Sequence, residues 1–194
     1  MDLHQLAALR SAVHHRFARP AGSGPSASTL GITKPALPMQ SCRLANQADA
    51  AAISSLVLSL ASDMLVEPEG EEAQRFYAAM SPMALTTYLE MPSRLYVVAE
   101  VEGQVQGMIM VRENNYIGQF FVALPHQGKG IGSALWHFAL AQARSFGGTG
   151  EFKVNSSLAA VPVYSRFGFT VTGTAEVENG FKFIPMRRQA ESAA

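Results

Sequence analysis

A chain of 194 residues with 15 basic and 15 acidic side chains has a formal net charge of zero, which excludes the electrostatic attraction typical of nucleic-acid-binding proteins. Its one cysteine, Cys42, excludes an internal disulfide and a cysteine-based zinc site and is compatible with a reducing cytoplasm. No stretch approaches the roughly 18 consecutive apolar residues of a membrane span, so we expect a cytoplasmic protein that binds neither nucleic acid nor membrane and holds no metal.

Residues 1–38 differ in composition from the rest, since they contain four Lys or Arg residues and three His against one acid, and then a run rich in Pro, Gly and Ser. Such an acid-poor start is compatible with a transit peptide. We interpret it instead as a disordered tail or the result of an upstream start codon, because Met39 directly precedes the first predicted strand, 41–45. One folded domain is then expected over 39–188, with a short tail over 189–194.

Helical patterns follow the first strand. Asn46 is suited to cap a helix whose apolar residues recur at helical spacing: Ile53, Leu56, Val57 and Leu60. A second helical region covers about 71–90, with a break near Ser81-Pro82, and closes before Pro92.

Three strands come next. The first two, 94–101 and 104–111, are separated by Glu102-Gly103, which is typical of a hairpin turn. Asn114-Asn115 forms the following turn and leads into a strand over 116–122.

A glycine-rich turn follows the strand and precedes a helical pattern: Gln127-Gly128-Lys129-Gly130-Ile131-Gly132-Ser133. Alternate glycines let backbone N–H groups converge, and the next helix adds its free N–H groups and the positive end of its dipole, a combination suited to phosphate. A Walker P-loop is excluded because Gly130 stands where Ser or Thr is required. A dinucleotide fingerprint also fails, since its third glycine position falls on Ser133 or Leu135. An ordinary strand-to-helix turn is the remaining alternative.

The helix predicted after this turn covers 131–146 and ends at Gly147-Gly148, a pair suited to a left-handed cap. A strand over 151–155 comes next, and a short helix after Ser156-Ser157 contains Tyr164.

A closing antiparallel pair is predicted over 169–177 and 180–187, around Asn179-Gly180. The whole order predicts an α/β (α+β) fold: a mixed, mainly antiparallel central sheet of about seven strands with helices on both faces.

Two motifs in this order resemble the signatures of the GNAT superfamily of acetyl-coenzyme-A-dependent N-acyltransferases. Residues 127–132 fit its Gln/Arg-x-x-Gly-x-Gly/Ala signature, and Tyr164 with Phe167-Gly168-Phe169 fits its second signature. The resemblance spans about 41–188 and is most specific over 120–169. It implies the GNAT fold and the use of acetyl-CoA as cosubstrate.

The resemblance also implies roles for individual residues. The N–H of Val122 would stabilise the developing oxyanion. Backbone amides of the glycine-rich turn would hold the pyrophosphate of acetyl-CoA: Gln127, Gly128, Lys129, Gly130, Ile131, Gly132 and Ser133. The Lys129 side chain either adds charge near the phosphates or is only solvated. Asn155 either contacts the pantetheine arm or simply forms a turn.

Tyr164 is the candidate general acid. A phenol with a pKa of about 10 stays protonated at pH 7 and can protonate the departing thiolate. On its residue type alone, Tyr164 is better explained as an amphipathic core aromatic such as Tyr96 or Tyr116. The motif favours the catalytic interpretation.

No residue is assigned as general base. Glu100, Glu113 and His126 are the ionisable groups near the relevant strands, and each is also explained as a solvated side chain. The linker 66–73 concentrates four acids, which either attract a cationic amine or favour the dipole of the helix that follows: Glu67, Glu69, Glu71 and Glu72.

These observations favour an N-acetyltransferase that transfers acetyl directly to a primary amine of an unidentified small-molecule or peptide acceptor in a ternary complex. Cys42 lies far from the signature, which supports direct transfer without an acyl-enzyme. The alternative is a catalytically weak acyl-CoA-binding sensor or interaction module on the same fold. The family resemblance also makes a homodimer an expected assembly.

Overall fold

The computed structural model describes residues 40–61 and 64–190. The predictions made for residues 1–38 and for the last four residues of the C-terminal tail lie outside the described part.

The described strands form a mixed sheet with the order β1-β2-β3-β4-β5-β8-β6, and β7 pairs with β8 beside this path. The strands are β1 Gln40–Leu44, β2 Arg94–Val101, β3 Gln104–Arg112, β4 Tyr116–Val122, β5 Phe152–Ser156, β6 Thr170–Val171, β7 Glu176–Glu178 and β8 Phe181–Arg188. Neighbouring strands are antiparallel except β4 and β5, which run parallel. The predicted mixed, mainly antiparallel sheet is therefore confirmed.

The closing pair differs from its prediction, because its first strand is divided into β6 and β7. Val171 faces Met186 and Glu176 faces Phe183. Between these pairs, four residues, 172–175, lie opposite only two residues of β8. The additional residues cannot pair with β8 and form a loop. This division gives the sheet eight strands where about seven were predicted.

The described residues form five α-helices: α1 Ala50–Ala61, α2 Glu71–Ala79, α3 Pro82–Leu89, α4 Ile131–Ser145 and α5 Val161–Arg166. The predicted break near Ser81-Pro82 is confirmed, since the Ser81 hydroxyl accepts the N–H of Ala84 and Pro82 opens α3. Short 3₁₀ turns precede α1 and α5 and follow β4: Gln47–Asp49, Leu158–Ala160 and Leu124–His126.

Helices cover both faces of the sheet, and a separate apolar core lies under each face. Side chains along β2 point alternately to the two faces, since Val97 packs into one core and Val98 into the other. The first core contains side chains of α4 and α5, including Leu135, Trp136 and Tyr164. The second core contains side chains of α1 and α3. Within the described residues, each helix is too short or too polar to cross a membrane.

The segment after α1 is tied to the last strand. Leu65 forms an isolated β-bridge with Phe181, and the N–H of Val66 donates to the carbonyl of Gly180 at 2.8 Å. Residues far apart in sequence are thus joined at the end of the sheet where β8 begins.

An ionic cluster joins β1, the turn before α1 and β2. The Arg43 guanidinium donates to both carboxylate oxygens of Asp49 at 2.7 Å, and its Nε donates to Glu100 at 3.0 Å. Asp49 also accepts the N–H of Asn46, which completes a capping box. Burial alone would raise the pKa of Asp49, but the hydrogen bonds from Arg43 and Asn46 outweigh it, and the net pKa is lowered.

We predict that Asp49→Asn lowers the free energy of unfolding by about 2 kcal/mol at pH 7, because hydrogen bonds to a charged group are lost. A carboxyl whose pKa is lowered on folding stabilises the protein above its unfolded pKa of about 3.9, and this contribution is lost as the pH falls through the folded-state pKa. Urea unfolding at pH 7 and near pH 3 should therefore show that the difference in free energy of unfolding between Asp49→Asn and wild type is smaller at the lower pH.

Glu69→Gln is the matched control, since Glu69 is an exposed acid. It should leave stability unchanged within about 0.5 kcal/mol at both pH values. An Asp49→Asn loss of equal size at both pH values would contradict the role assigned to the ionised carboxylate.

Candidate active site

The site begins where the two parallel strands separate. β4 and β5 are paired only at Tyr116–Lys153 and Ile117–Val154. Beyond these pairs β4 continues alongside β3, while β5 continues alongside β8. A gap therefore opens between β4 and β5 towards Val122.

The backbone of β4 faces this gap. The N–H of Ala123 donates to the carbonyl of Gln106 at 2.9 Å, which places Val122 opposite Gly107 in a non-hydrogen-bonded pair. The N–H and C=O of Val122 consequently point away from β3 and towards the gap. The same alternation applies to Phe120, two residues earlier.

A β-bulge sets which β4 side chains reach each face of the sheet. Met110 faces Gln119 and Val111 faces Ile117, so Gly118 is the additional residue. After the bulge Phe120 packs with Ile117 against the first core, whereas Gln119 contacts Met80 of the second core.

The glycine-rich turn presents free amides at the start of α4. Gly128 and Gly130 have φ values of 71° and 87°, a left-handed conformation that favours glycine. Within the described residues, no backbone N–H from Gly128 to Ser133 donates to a protein acceptor. These groups, together with the helix dipole, are suited to bind an anion.

Gln127 behaves differently from the rest of the turn. Its backbone N–H donates to the carbonyl of Leu124 at 3.3 Å, and its side-chain Nε2 donates to the carbonyl of Val122 at 2.9 Å. Gln127 therefore connects the turn to the end of β4 through its side chain, and its own amide is engaged within the turn.

Gly107 on β3 allows α4 to approach the sheet closely. A Cβ at this position would lie 2.9 Å from Leu135 Cδ1 and 3.0 Å from Ile131 Cγ2. The absence of a side chain at Gly107 thus places the first turn of α4, and the amides before it, close to β3 next to the gap.

Three neighbouring cavities lie along the gap, and adjacent cavities share wall residues. The loop cavity, of about 710 Å³, lies beside the glycine-rich turn: its walls include Gly128, Gly130, Gly132, Ser133, Trp136, His137, Arg166 and Arg188. The middle cavity, of about 350 Å³, shares Gly128, Gly132 and Val163 with it. The β4 cavity, of about 260 Å³, shares Phe120, Val122, Gln127, Ser157, Ala160 and Tyr164 with the middle cavity.

Tyr164 lies between the middle and β4 cavities. Its ring is buried and makes edge-on contacts with Phe120 and Phe169, with centroids 6.1 and 5.5 Å away. Burial raises the pKa of Tyr164 well above its ordinary value, and nearby Tyr116 adds to the rise. The phenol therefore stays protonated at neutral and moderately alkaline pH.

Of the remaining residues predicted from the sequence to bind the cofactor, one lines a cavity and two do not. Asn155 lines the β4 cavity with Tyr164 and Val122, and its side chain is exposed. Lys129 lines none of the three cavities, and the buried Ile131 side chain leaves only its backbone N–H available.

The candidate bases also lie away from the three cavity walls. Glu100 binds Arg43, Glu113 lies in the turn at the opposite end of β4 from Val122, and His126 is in the 3₁₀ turn after β4. None of these three residues lines a cavity described above. Two acids of the 66–73 linker, Glu71 and Glu72, pair with Arg75 in the first turns of α2, as expected for acids that favour a helix dipole.

Sequence reasoning did not identify several wall residues. Trp136 and His137 lie one turn after Gly132 and Ser133 on α4, and the Ser133 hydroxyl is 3.3 Å from His137 Nδ1. Helical spacing could have placed them on the same face as the turn. The bulge that positions Gln119 has no comparable signal beyond one glycine in a strand.

Comparison with known proteins gives a consistent result. The family model described as an acetyltransferase (GNAT) domain matches residues 64–190. PaiA N-acetyltransferase from Thermoplasma acidophilum, solved in complex with coenzyme A, is 15% identical with a TM-score of 0.65, and the match covers 78% of this chain and 99% of that one.

Two further solved structures show the same fold. A GNAT-family acetyltransferase from Streptococcus pneumoniae is 17% identical with a TM-score of 0.59, covering 77% of this chain and 98% of that one. One from Staphylococcus aureus Mu50 is 13% identical with a TM-score of 0.59, covering 79% and 100% respectively.

Proposed function

Because the chain belongs to the GNAT acetyltransferase family, and is therefore an acyltransferase, we propose that it transfers the acetyl group of acetyl-CoA directly to a primary amine in a ternary complex. The observation that carries this proposal is the gap between β4 and β5, where free turn amides, the outward backbone of Val122 and the Tyr164 phenol line connected cavities.

The residues present fit coenzyme A. The free N–H groups from Gly128 to Ser133 match a pyrophosphate, and the loop cavity beside them has room and positive charge, from Arg166 and Arg188, for the phosphate-bearing nucleotide end. The outward N–H and C=O groups of Phe120 match an amide of an extended pantetheine arm, while the carbonyl of Val122 is held by Gln127 Nε2.

Gln127 has a different role in this proposal from the one implied by the family resemblance. Its backbone N–H donates to a carbonyl within the turn, so this N–H would not bind the pyrophosphate. Its side chain holds the carbonyl of Val122, which fixes the peptide orientation at the end of β4.

The chemistry can be written with residues of the described site. The amine, as free base, attacks the thioester carbonyl carbon, so that a C–N bond forms and the C–S bond breaks. The N–H of Val122 stabilises the oxyanion formed in between. The amine nitrogen loses one proton to solvent, the departing sulfur gains the phenol proton of Tyr164, and the phenolate regains a proton from solvent, so the products are an amide and a free thiol.

We predict that Tyr164→Phe lowers kcat about a hundredfold with little change in coenzyme A affinity, because it removes a positioned proton donor. Thiol release from acetyl-CoA measures the rate. Tyr88→Phe is the matched control, since Tyr88 lies on α3 against Arg94 and lines none of the three cavities. It should retain wild-type turnover.

The same pair of enzymes gives a pH test. Because burial raises the pKa of Tyr164, the wild-type rate should not fall through ionisation of this phenol between about pH 7 and 10. An alkaline decline near pH 8 or 9 that disappears in Tyr164→Phe would contradict the raised pKa, and a near-wild-type rate in the variant would contradict the assigned role.

We further predict that Gly130→Ala weakens coenzyme A binding about tenfold, because a side chain disfavours the left-handed backbone that directs the turn amides. Quenching of the single tryptophan, Trp136 in the wall of the loop cavity, measures binding.

Gly103→Ala is the control for this variant. Gly103 has a φ of 76° in the β2–β3 hairpin, and an added Cβ there, as at Gly130, meets no atom within 4 Å. Both substitutions should lower stability by a similar amount of about 1 kcal/mol. Equal coenzyme A affinity in the two variants would refute the pyrophosphate site at this turn.

A further inference from the structure

The β4 cavity is the part of the gap farthest from the loop cavity, and the two share no wall residue. Its volume of about 260 Å³ is below the range of roughly 300–1,000 Å³ typical of cavities for drug-sized ligands. Under the proposed function, this is where the acceptor amine meets the thioester, and only a small part of the acceptor fits inside it.

The described walls of the β4 cavity combine hydrophobic and neutral polar residues and carry no charge. Most of its described wall is hydrophobic: Leu60, Met64, Ile117, Phe120, Phe121, Val122, Leu124 and Ala160. The polar described residues are amides, a serine and the protonated Tyr164, and no described wall residue carries a charge at pH 7. A second ammonium group on the acceptor would therefore enter this cavity without a described counter-charge, which is costly.

Gln119 adds to this wall a buried amide oxygen without a hydrogen-bond partner. Its Nε2 contacts Met80 Sδ at 2.9 Å, and a thioether sulfur can only accept, so the nitrogen must face Met80. This orientation leaves Oε1 buried with no hydrogen-bond partner. An unsatisfied buried amide oxygen is unfavourable, so a ligand N–H that satisfies it gains correspondingly.

We propose, resting on the acetyl transfer proposed above, that the acceptor is a small primary amine with an uncharged apolar body, and that Gln119 selects it by accepting an N–H at Oε1. Oε1 is shielded from solvent in this conformation, so the contact requires a rotation of the side chain into the cavity. That rotation gives up only the weak N–H···S contact with Met80.

The first experiment compares pentylamine with putrescine as acceptors of the full-length wild-type enzyme. The two molecules have the same number of non-hydrogen atoms and differ in that a terminal methyl is replaced by an ammonium. We expect kcat/KM for pentylamine to exceed that for putrescine by at least about tenfold, since the uncompensated charge costs about 1.4 kcal/mol or more. Equal or reversed preference would overturn the inference, and this comparison needs no variant.

The second experiment uses Gln119→Glu, which keeps the shape of the side chain and adds a carboxylate. The preference for pentylamine should narrow about tenfold or reverse, while coenzyme A binding, followed by Trp136 fluorescence, stays unchanged. Gln104→Glu is the control, because Gln104 is exposed at the start of β3 and lines none of the three cavities. An unchanged acceptor ratio in a folded Gln119→Glu enzyme would overturn the assignment of Gln119.

The experiments distinguish a wrong acceptor class from a wrong proposed function. Turnover of putrescine in preference to pentylamine leaves acetyl transfer standing and removes only the apolar acceptor. Binding of acetyl-CoA without thiol release, over an amine panel that includes both molecules, would overturn acetyl transfer itself and this inference with it.

Discussion

The early separation of β4 from β5 is the constraint on which the site depends. Two residue pairs hold the strands together, and each strand then satisfies its backbone with a different neighbour, β3 or β8. A sheet normally pairs the N–H and C=O groups of adjacent strands with each other. Here the N–H and C=O of Phe120 and the N–H of Val122 are directed into a gap, where a ligand or water can satisfy them, whereas the carbonyl of Val122 accepts from Gln127 Nε2. The site is thus an interruption of the sheet. Its outward groups are backbone N–H and C=O groups of β4 that β5 no longer pairs.

Two small irregularities convert this gap into a chemical site. The bulge at Gly118 places Phe120 on the same face of β4 as Ile117, so that Phe120 contacts Tyr164 while Gln119 reaches Met80. Gly107 lets the first turn of α4 lie against β3. Together they bring a helix N-terminus, an outward peptide N–H and a buried phenol to one gap. Loss of either glycine would alter the alignment of these groups without removing any of them.

Much of the fold could be predicted from the sequence, because its signals are local. Glu102-Gly103 marks a hairpin and Ser81-Pro82 marks a helix start, and both are confirmed. The division between β6 and β7 could not be predicted, since it depends on register against β8. The glycine-rich turn and Tyr164 were found through motifs, whereas Gln119 was missed because its environment is set by a bulge and by Met80, 39 residues away.

The position of the last strand has a consequence for folding order. β8 lies between β5 and β6, and its first residue, Phe181, also anchors Leu65 beside the segment that supplies Met64 to the β4 cavity. These contacts join distant parts of the chain and must wait for costly loop closure. During synthesis the glycine-rich turn and α4 emerge well before β8. A nascent chain can therefore form the glycine-rich turn before the β4 cavity is enclosed, and that cavity is complete only after β8 has left the ribosome.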